Sequence, residues 1–208
     1  MSGKVRREKG PCPPFDRKRM ERGIRLFLEG MGPVVPPGVL RDTPRLVAEA
    51  WMRDLLSGYR KAKGPLLVPL RERPPDSLIV VRGIRFVSVC RHHLLPFQGI
   101  AAVGYLPDRR LAGFSAVVRL VEVHARRLQI QEDLSEDILD SLEEALAPRG
   151  AACLLEASHQ CMTCRLAGQP GARVTTLRFR GIFEKEAARR REMASLLSGP
   201  PAAGEQEP

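Results

Sequence analysis

Two short clusters of cysteine and histidine set the strongest condition on how this chain can fold. The first is Cys90-Arg91-His92-His93-Leu94-Leu95-Pro96-Phe97; the second, about seventy residues on, is His159-Gln160-Cys161-Met162-Thr163-Cys164. Together they hold three of the four histidines and three of the five cysteines. Cys-x-x-His from one cluster and a cysteine from the other make a three-ligand zinc site. Three protein ligands leave the fourth tetrahedral position to water, which is the catalytic form of zinc. A shared ion obliges the fold to bring the two clusters together. Taken singly, Cys90 reads as a small buried apolar residue and His93 as a hydrogen-bonded turn residue. The occurrence of both clusters at strand ends favours metal. Cys161-x-x-Cys164 permits a second arrangement, in which both cysteines join Cys90 and His93 in a closed structural site. His92 and His159 each lie beside a ligand candidate, where an imidazole can carry protons near neutral pH.

The rest of the composition narrows the class. At 208 residues the chain suits one domain with tails, expected over 15–197, between a disordered basic arm at 1–14 and a disordered tail at 198–208. A balance of 34 Lys/Arg against 24 Asp/Glu, net +10, attracts polyanions. Nine of those cations fall within residues 1–25, where an arm and a solvated helix face account for them. The basic N-terminus has no apolar stretch behind it, so no secretory signal is read there. No apolar run is long enough to span a membrane. Five cysteines without a framework spacing point to a reducing cytoplasm.

Periodicity predicts helices first. Met20, Ile24, Phe27, Leu28 and Met31 fall at helical spacing after Asp16, and Asp42-Thr43-Pro44 reads as the start of a second helix. Residues 60–77 read as a basic loop. Strands are expected over 78–88 with a bulge at Gly83, over 99–105, and over 111–114. Helices follow over 115–128 and from a Ser135 cap onward, then strands over 151–158 and 173–179 and a helix over 184–197. Two antiparallel strand pairs separated by two helices make an α+β fold rather than a doubly wound sheet.

Several motifs in order resemble those of the GTP cyclohydrolase I family. They are Cys90-x-His92-His93-Leu94-Leu95-Pro96-Phe97, Gly104-Tyr105-Leu106-Pro107, Gly113-x-Ser115, Arg119, Arg126-Arg127-Leu128-Gln129-x-Gln131-Glu132 and His159-x-Cys161-Met162. The likeness runs from about Gly38 to Phe183. It implies a tunnelling fold: an antiparallel sheet with helices on one face, assembled into a ring-based homodecamer with active sites between subunits. It implies hydrolytic opening of the guanine imidazole ring of GTP, release of formate, and rearrangement to 7,8-dihydroneopterin triphosphate, the start of pterin and tetrahydrofolate biosynthesis. By the same resemblance Cys90, His93 and Cys161 match zinc ligands, and His92 and His159 match catalytic histidines. Gln131 and Glu132 match a guanine-recognition pair. Ser115, Arg119 and Arg165 match positions near the ribose and triphosphate.

Three positions depart from the family pattern. Arg91 stands where Glu is usual, Ala116 where Lys is usual, and Leu166 where Gly is usual. A lost lysine weakens a phosphate site, and Arg91 is read as partly replacing that charge. The departures leave open a paralogue that acts on another purine nucleotide or stops after ring opening. A zinc-stabilised nucleic-acid-binding protein fits the charge less well, because aromatics are few and not interleaved with the basic residues. A regulatory subunit without activity fits poorly with the histidines and Glu132 all in place. Neither a membrane nor a nucleic-acid partner is expected.

Overall fold

A computed structural model describes residues 15–61, 67–70, 77–164 and 171–199. The expected arm at 1–14, the tail from 200 onward, and Arg165 and Leu166 lie outside these residues. The chain divides into two compact units, Met1–Lys63 and Gly64–Pro208.

In the first unit, helix α1 (Arg17–Glu29) starts where the sequence predicts, with the Asp16 carboxylate accepting from the backbone N–H of Arg19 at 2.9 Å. Helix α2 (Pro37–Ala50) starts earlier than predicted. Pro37 takes the first turn, where its missing N–H removes only a donor that would have had no partner, and Pro44 is carried inside the helix. The helix continues as a wider turn over Trp51–Leu55. A short helix α3 (Gly58–Lys61) occupies the start of the predicted loop. Arg17 reaches Glu49 across the two long helices at 3.6 Å.

The second unit is built on one five-stranded sheet. Its strands are β2 (Ile79–Cys90), β3 (Pro96–Leu106), β5 (Leu128–Gln129), β6 (Gly150–His159) and β7 (Val174–Gly181), in the order β5-β2-β3-β6-β7. Strands β1 (Pro69–Leu70) and β4 (Leu111–Ala112) form a separate pair, so part of the segment expected as loop is a strand. The two predicted antiparallel pairs become one sheet through the β3–β6 pairing, which runs from Phe97 opposite His159 to Leu106 opposite Gly150. The bulge predicted at Gly83 is present: the register shifts between Val81 and Ile84, and Gly83 has φ of 70°.

Helices α4 (Phe114–Ala125) and α5 (Gln131–Leu146) cover one face. Val117, Leu120, Val121, Leu134, Ile138, Leu139 and Leu142 pack there against Phe86, Phe97, Val103 and Tyr105, all within 4% of full burial. Each such side chain contributes about 2 kcal/mol. The C-terminal segment, predicted as one helix, breaks at Glu186 into α7 (Ile182–Lys185) and α8 (Ala187–Leu197). Their Phe183, Met193 and Leu197 bury the opposite-facing Ala102, Leu106 and Ala152. Gly104 makes room for that contact, since a Cβ there would come within 2.5 Å of the Met193 sulfur. His124, the one histidine outside the two clusters, is buried with its Nε2 2.8 Å from Ser141 Oγ.

Two boundaries differ in a way that shapes the site. The predicted helix over 115–128 stops at Ala125, because Leu128 and Gln129 leave it to pair in parallel with Val89 and Cys90. Phe114, expected in a strand, is instead the first residue of that helix. Helix α5 starts at Gln131 rather than after Ser135. Ser135 is inside it, with its hydroxyl donating to the carbonyl of Glu132 at 2.7 Å. Glu132 and Asp133 therefore occupy the first helical turn, where carboxylates favour the helix dipole.

Candidate active site

The first cluster is a tight return at the end of β2. The backbone N–H of Cys90 donates to Leu95 O at 2.9 Å and that of Leu94 to Cys90 O at 2.8 Å. Leu94 is left-handed, with φ of 56°, a conformation that a leucine adopts only where its surroundings enforce it. The return brings His93 Nδ1 within 3.9 Å of Cys90 Sγ. The second cluster follows β6, where the single turn α6 (Gln160–Thr163) presents Cys161. The β3–β6 register aligns the two strand ends, and one ligand atom from each of Cys90, His93 and Cys161 lies within 4.8 Å of the others. Two sulfurs and one imidazole nitrogen suit zinc, whose bonds to them are about 2.0–2.3 Å.

Cys164 stays outside that group, and its thiol donates to Gln160 Oε1 at 2.7 Å. Accordingly, Cys164→Ser should keep the metal content of wild type in metal analysis, whereas Cys161→Ser should lose it. Loss of metal from the Cys164 variant would restore the closed four-ligand arrangement. Cys153 is a different kind of cysteine: it is buried in the sheet, and burial pushes its thiol up to about 12, so it is a filler rather than a ligand.

The three ligand candidates open onto a cavity of about 260 Å³ that is also lined by His92, Phe97, Gln131, Glu132 and His159. The structure thus brings seven of the ten predicted site residues together. The His159 ring stacks on Phe97 at 4.5 Å with 3° between the planes. Burial lowers the pKa of His159 below the usual imidazole value, and the charge of Glu132 opposes that shift. The His159 Nε2 lies 2.8 Å from Gln131 Oε1. His92 is exposed, edge-on to His93 at 6.3 Å between ring centroids.

Ser115 and Arg119 are exposed one turn apart on α4 and do not line this cavity. Arg165 lies outside the described residues. Ala116, where the resemblance leads to an expectation of lysine, lies on the core-facing side of α4. A second groove of about 650 Å³ in the first unit is lined by Asp16, Lys18, Glu21, Arg22, Arg25 and Arg41, with no thiol or imidazole among its lining.

Arg91 corrects an expectation. Rather than standing free for a phosphate, it donates through Nη1 to Asp133 Oδ2 at 2.7 Å, and its backbone N–H donates to Gln129 O at 3.1 Å. The arginine joins the metal-side turn to the first turn of α5, next to Glu132. Both side chains are about a third exposed, 33% and 40%, so the pair contributes at most about 1 kcal/mol. Arg91→Glu is therefore expected to lower the unfolding midpoint by roughly 2–4 °C. The charge-swapped pair, Arg91→Glu with Asp133→Arg, should recover most of it; an unchanged midpoint in the single variant would show that the pair contributes nothing.

Sequence reasoning did not find the stacking role of Phe97 or the partners of Arg91 and Gln131. Phe97 was visible as part of a motif, but only the strand register gives it a neighbour.

The family model for GTP cyclohydrolase I matches residues 20–198. The chain is 40% identical over 185 residues to a GTP cyclohydrolase 1 of Mycobacterium ulcerans (strain Agy99), covering 88% of this chain and 91% of that one. It is 38% identical over 185 residues to a GTP cyclohydrolase 1 of Streptococcus pyogenes serotype M49 (strain NZ131), covering 88% and 95%. A GTP cyclohydrolase 1 of Gloeobacter violaceus is 40% identical over 179 residues, covering 86% and 83%.

Proposed function

Because the chain belongs to the GTP cyclohydrolase I family, we propose that it is a zinc-dependent hydrolase that opens the guanine imidazole ring of GTP, releases formate and rearranges the product to 7,8-dihydroneopterin triphosphate. The observation that carries this reading is one cavity shared by Cys90, His93, Cys161, Glu132 and His159. Cys90, His93 and Cys161 would hold the metal. When bound, zinc supplies the Lewis acidity that makes water nucleophilic near neutral pH. Glu132 accepts from the N–H donors on the pyrimidine edge of guanine, which orients C8 within the cavity. Ring opening leaves nitrogen with negative charge, and His159 delivers the proton that it needs, with His92 as the second imidazole at the mouth. The stacked Phe97 excludes water from one face of His159 and holds its ring in plane.

Ser115, Arg119 and Arg165 are assigned to the ribose and triphosphate, where the planar guanidinium fork matches phosphate oxygens. Ser115 and Arg119 lie off this cavity, which favours a homo-oligomer, a decamer in the family pattern, in which one copy's arginine serves a neighbour's site. Thiolate ligands favour a reducing cytoplasm. Among the described residues no helix is long and apolar enough to cross a membrane.

A second reading has one observation behind it. Ala116 is 8% exposed and faces the core, so the triphosphate lacks a lysine there. That permits a variant that prefers another purine nucleotide or stops after ring opening. Incubating the zinc-replete protein with GTP, while following formate and the fluorescence of oxidised neopterin together, separates the two. Both signals are expected. Formate alone favours the second reading, and neither signal from a zinc-loaded protein would overturn both readings for GTP.

A further inference from the structure

Within the cavity, Gln131 has surroundings that do not suit a residue that reads a base. Its side chain is buried, 1% exposed. Its Nε2 lies 2.9 Å from Val174 O and 3.1 Å from Leu155 O, with Thr176 Oγ1 at 3.3 Å. Backbone carbonyls only accept, so the amide NH2 must face them, and both of its hydrogens are spent on β6 and β7. The carboxamide oxygen then points the other way. At 2.8 Å from it lies His159 Nε2. A carboxamide oxygen can only accept, so the hydrogen belongs to His159 Nε2. The imidazole is held in this orientation by Phe97 against its face, the partner that the β3–β6 register sets opposite His159.

We propose that Gln131 is a positioning residue that holds His159 with its hydrogen on Nε2 and so leaves Nδ1 as the ring atom that exchanges a proton with the substrate. Of the pair that the resemblance assigns to guanine, Glu132 reads the base and Gln131 orients the histidine. The logic is that of a hydrogen-bonded partner choosing an imidazole's tautomer and angle. The three elements that meet at Gln131 (the first turn of α5, the end of β6 and the start of β7) make the choice rigid. This inference rests on the cyclohydrolase reading for its substrate, but not for its geometry.

Two measurements test it on the zinc-loaded protein. Histidine-selective ¹⁵N spectra of the wild type should show His159 protonated at Nε2 and bare at Nδ1; the opposite tautomer overturns the proposal. That result needs neither substrate nor variant, so it stands even if GTP proves not to be turned over, in which case only the functional reading fails. In the kinetics, Gln131→Leu should lower kcat for GTP by roughly 10- to 100-fold with KM changed less than about threefold. In a His159→Ala background the same substitution should change kcat by less than about threefold, because the residue acts through the missing ring. If Gln131→Leu does not fold, the His159 tautomer measured on the wild type decides the proposal alone. A raised KM at unchanged kcat, persisting in the His159→Ala background, would return Gln131 to the base and overturn the proposal.

Discussion

Cys90→Ser is expected to empty the metal centre and to reduce formate release from GTP by about a thousandfold or more. Cys90 is 6% exposed at the end of β2, and its backbone is tied to Leu95 and Leu94 on either side of the turn. Those bonds are made by main-chain atoms, so serine should leave the turn in place while removing the thiolate. A serine hydroxyl is a poor zinc ligand, and two remaining donors do not hold the ion tightly. Loss of the metal removes several kcal/mol of stabilisation from the hydrolytic step. At about 1.4 kcal/mol per factor of ten, 4 kcal/mol is roughly a thousandfold. Metal analysis, formate release and circular dichroism on the same preparation decide the matter. A folded variant without zinc and without activity is the expected result. A folded variant with full zinc and a full rate would remove Cys90 from the site.

Glu132→Gln is expected to lower kcat/KM for GTP by about a hundredfold while leaving zinc content unchanged. Glu132 is exposed to the cavity from the first turn of α5 and is not in the ligand group. Its carboxylate can accept from two neighbouring N–H groups of guanine, whereas a carboxamide of the same shape presents one acceptor and one donor. The substitution loses a charge-assisted bond and sets a donor against a donor. Bonds to charged groups are worth roughly 1.5–3 kcal/mol, which corresponds to about tenfold to a hundredfold. A contact made equally to the bound substrate and to the transition state loses mostly KM when it is removed, so that is where most of the effect is expected. An unchanged KM in steady-state kinetics would mean that another group reads the base. The same substitution removes the charge that opposes the burial shift of His159, so some loss of kcat accompanies it.

How far the sequence could be read differs from feature to feature. The strand bulge at Gly83 was legible because glycine at a break in an apolar run has few other uses. The start of α1 at Asp16 was legible because the helical spacing of Met20, Ile24, Phe27 and Leu28 is a local pattern; the bond from Arg19 N–H to the Asp16 carboxylate was added by the structure. The start of α2 was misread because two prolines competed for the first turn, and Pro37 took it while Pro44 was tolerated inside. The start of α5 was misread for a related reason. Ser135 looks like a cap, but the pairing of Leu128 and Gln129 with β2 ends the preceding helix at Ala125, and the next helix begins directly after that pair, at Gln131.

What the sequence by itself determined is the chemistry available: three thiols and an imidazole in two clusters, two further histidines beside them, and a carboxylate that could meet a base. Spacing within one turn or one strand end is local, and local geometry follows from backbone dihedrals that residue types constrain directly. Which of these groups meet was decided only by the tertiary structure. The alternating pattern of β3 and β6 would read the same after a slip of two residues, because side chains repeat every second position along a strand. Only the packed sheet selects the register that sets Phe97 opposite His159 and brings Cys161, rather than Cys164, to Cys90 and His93. The same holds for Arg91 with Asp133 and Gln131 with His159: each is a polar side chain whose partner lies 28 or more residues away. A hydrogen bond depends on distance and angle in space, and those come into being only when the core has closed around α4 and α5.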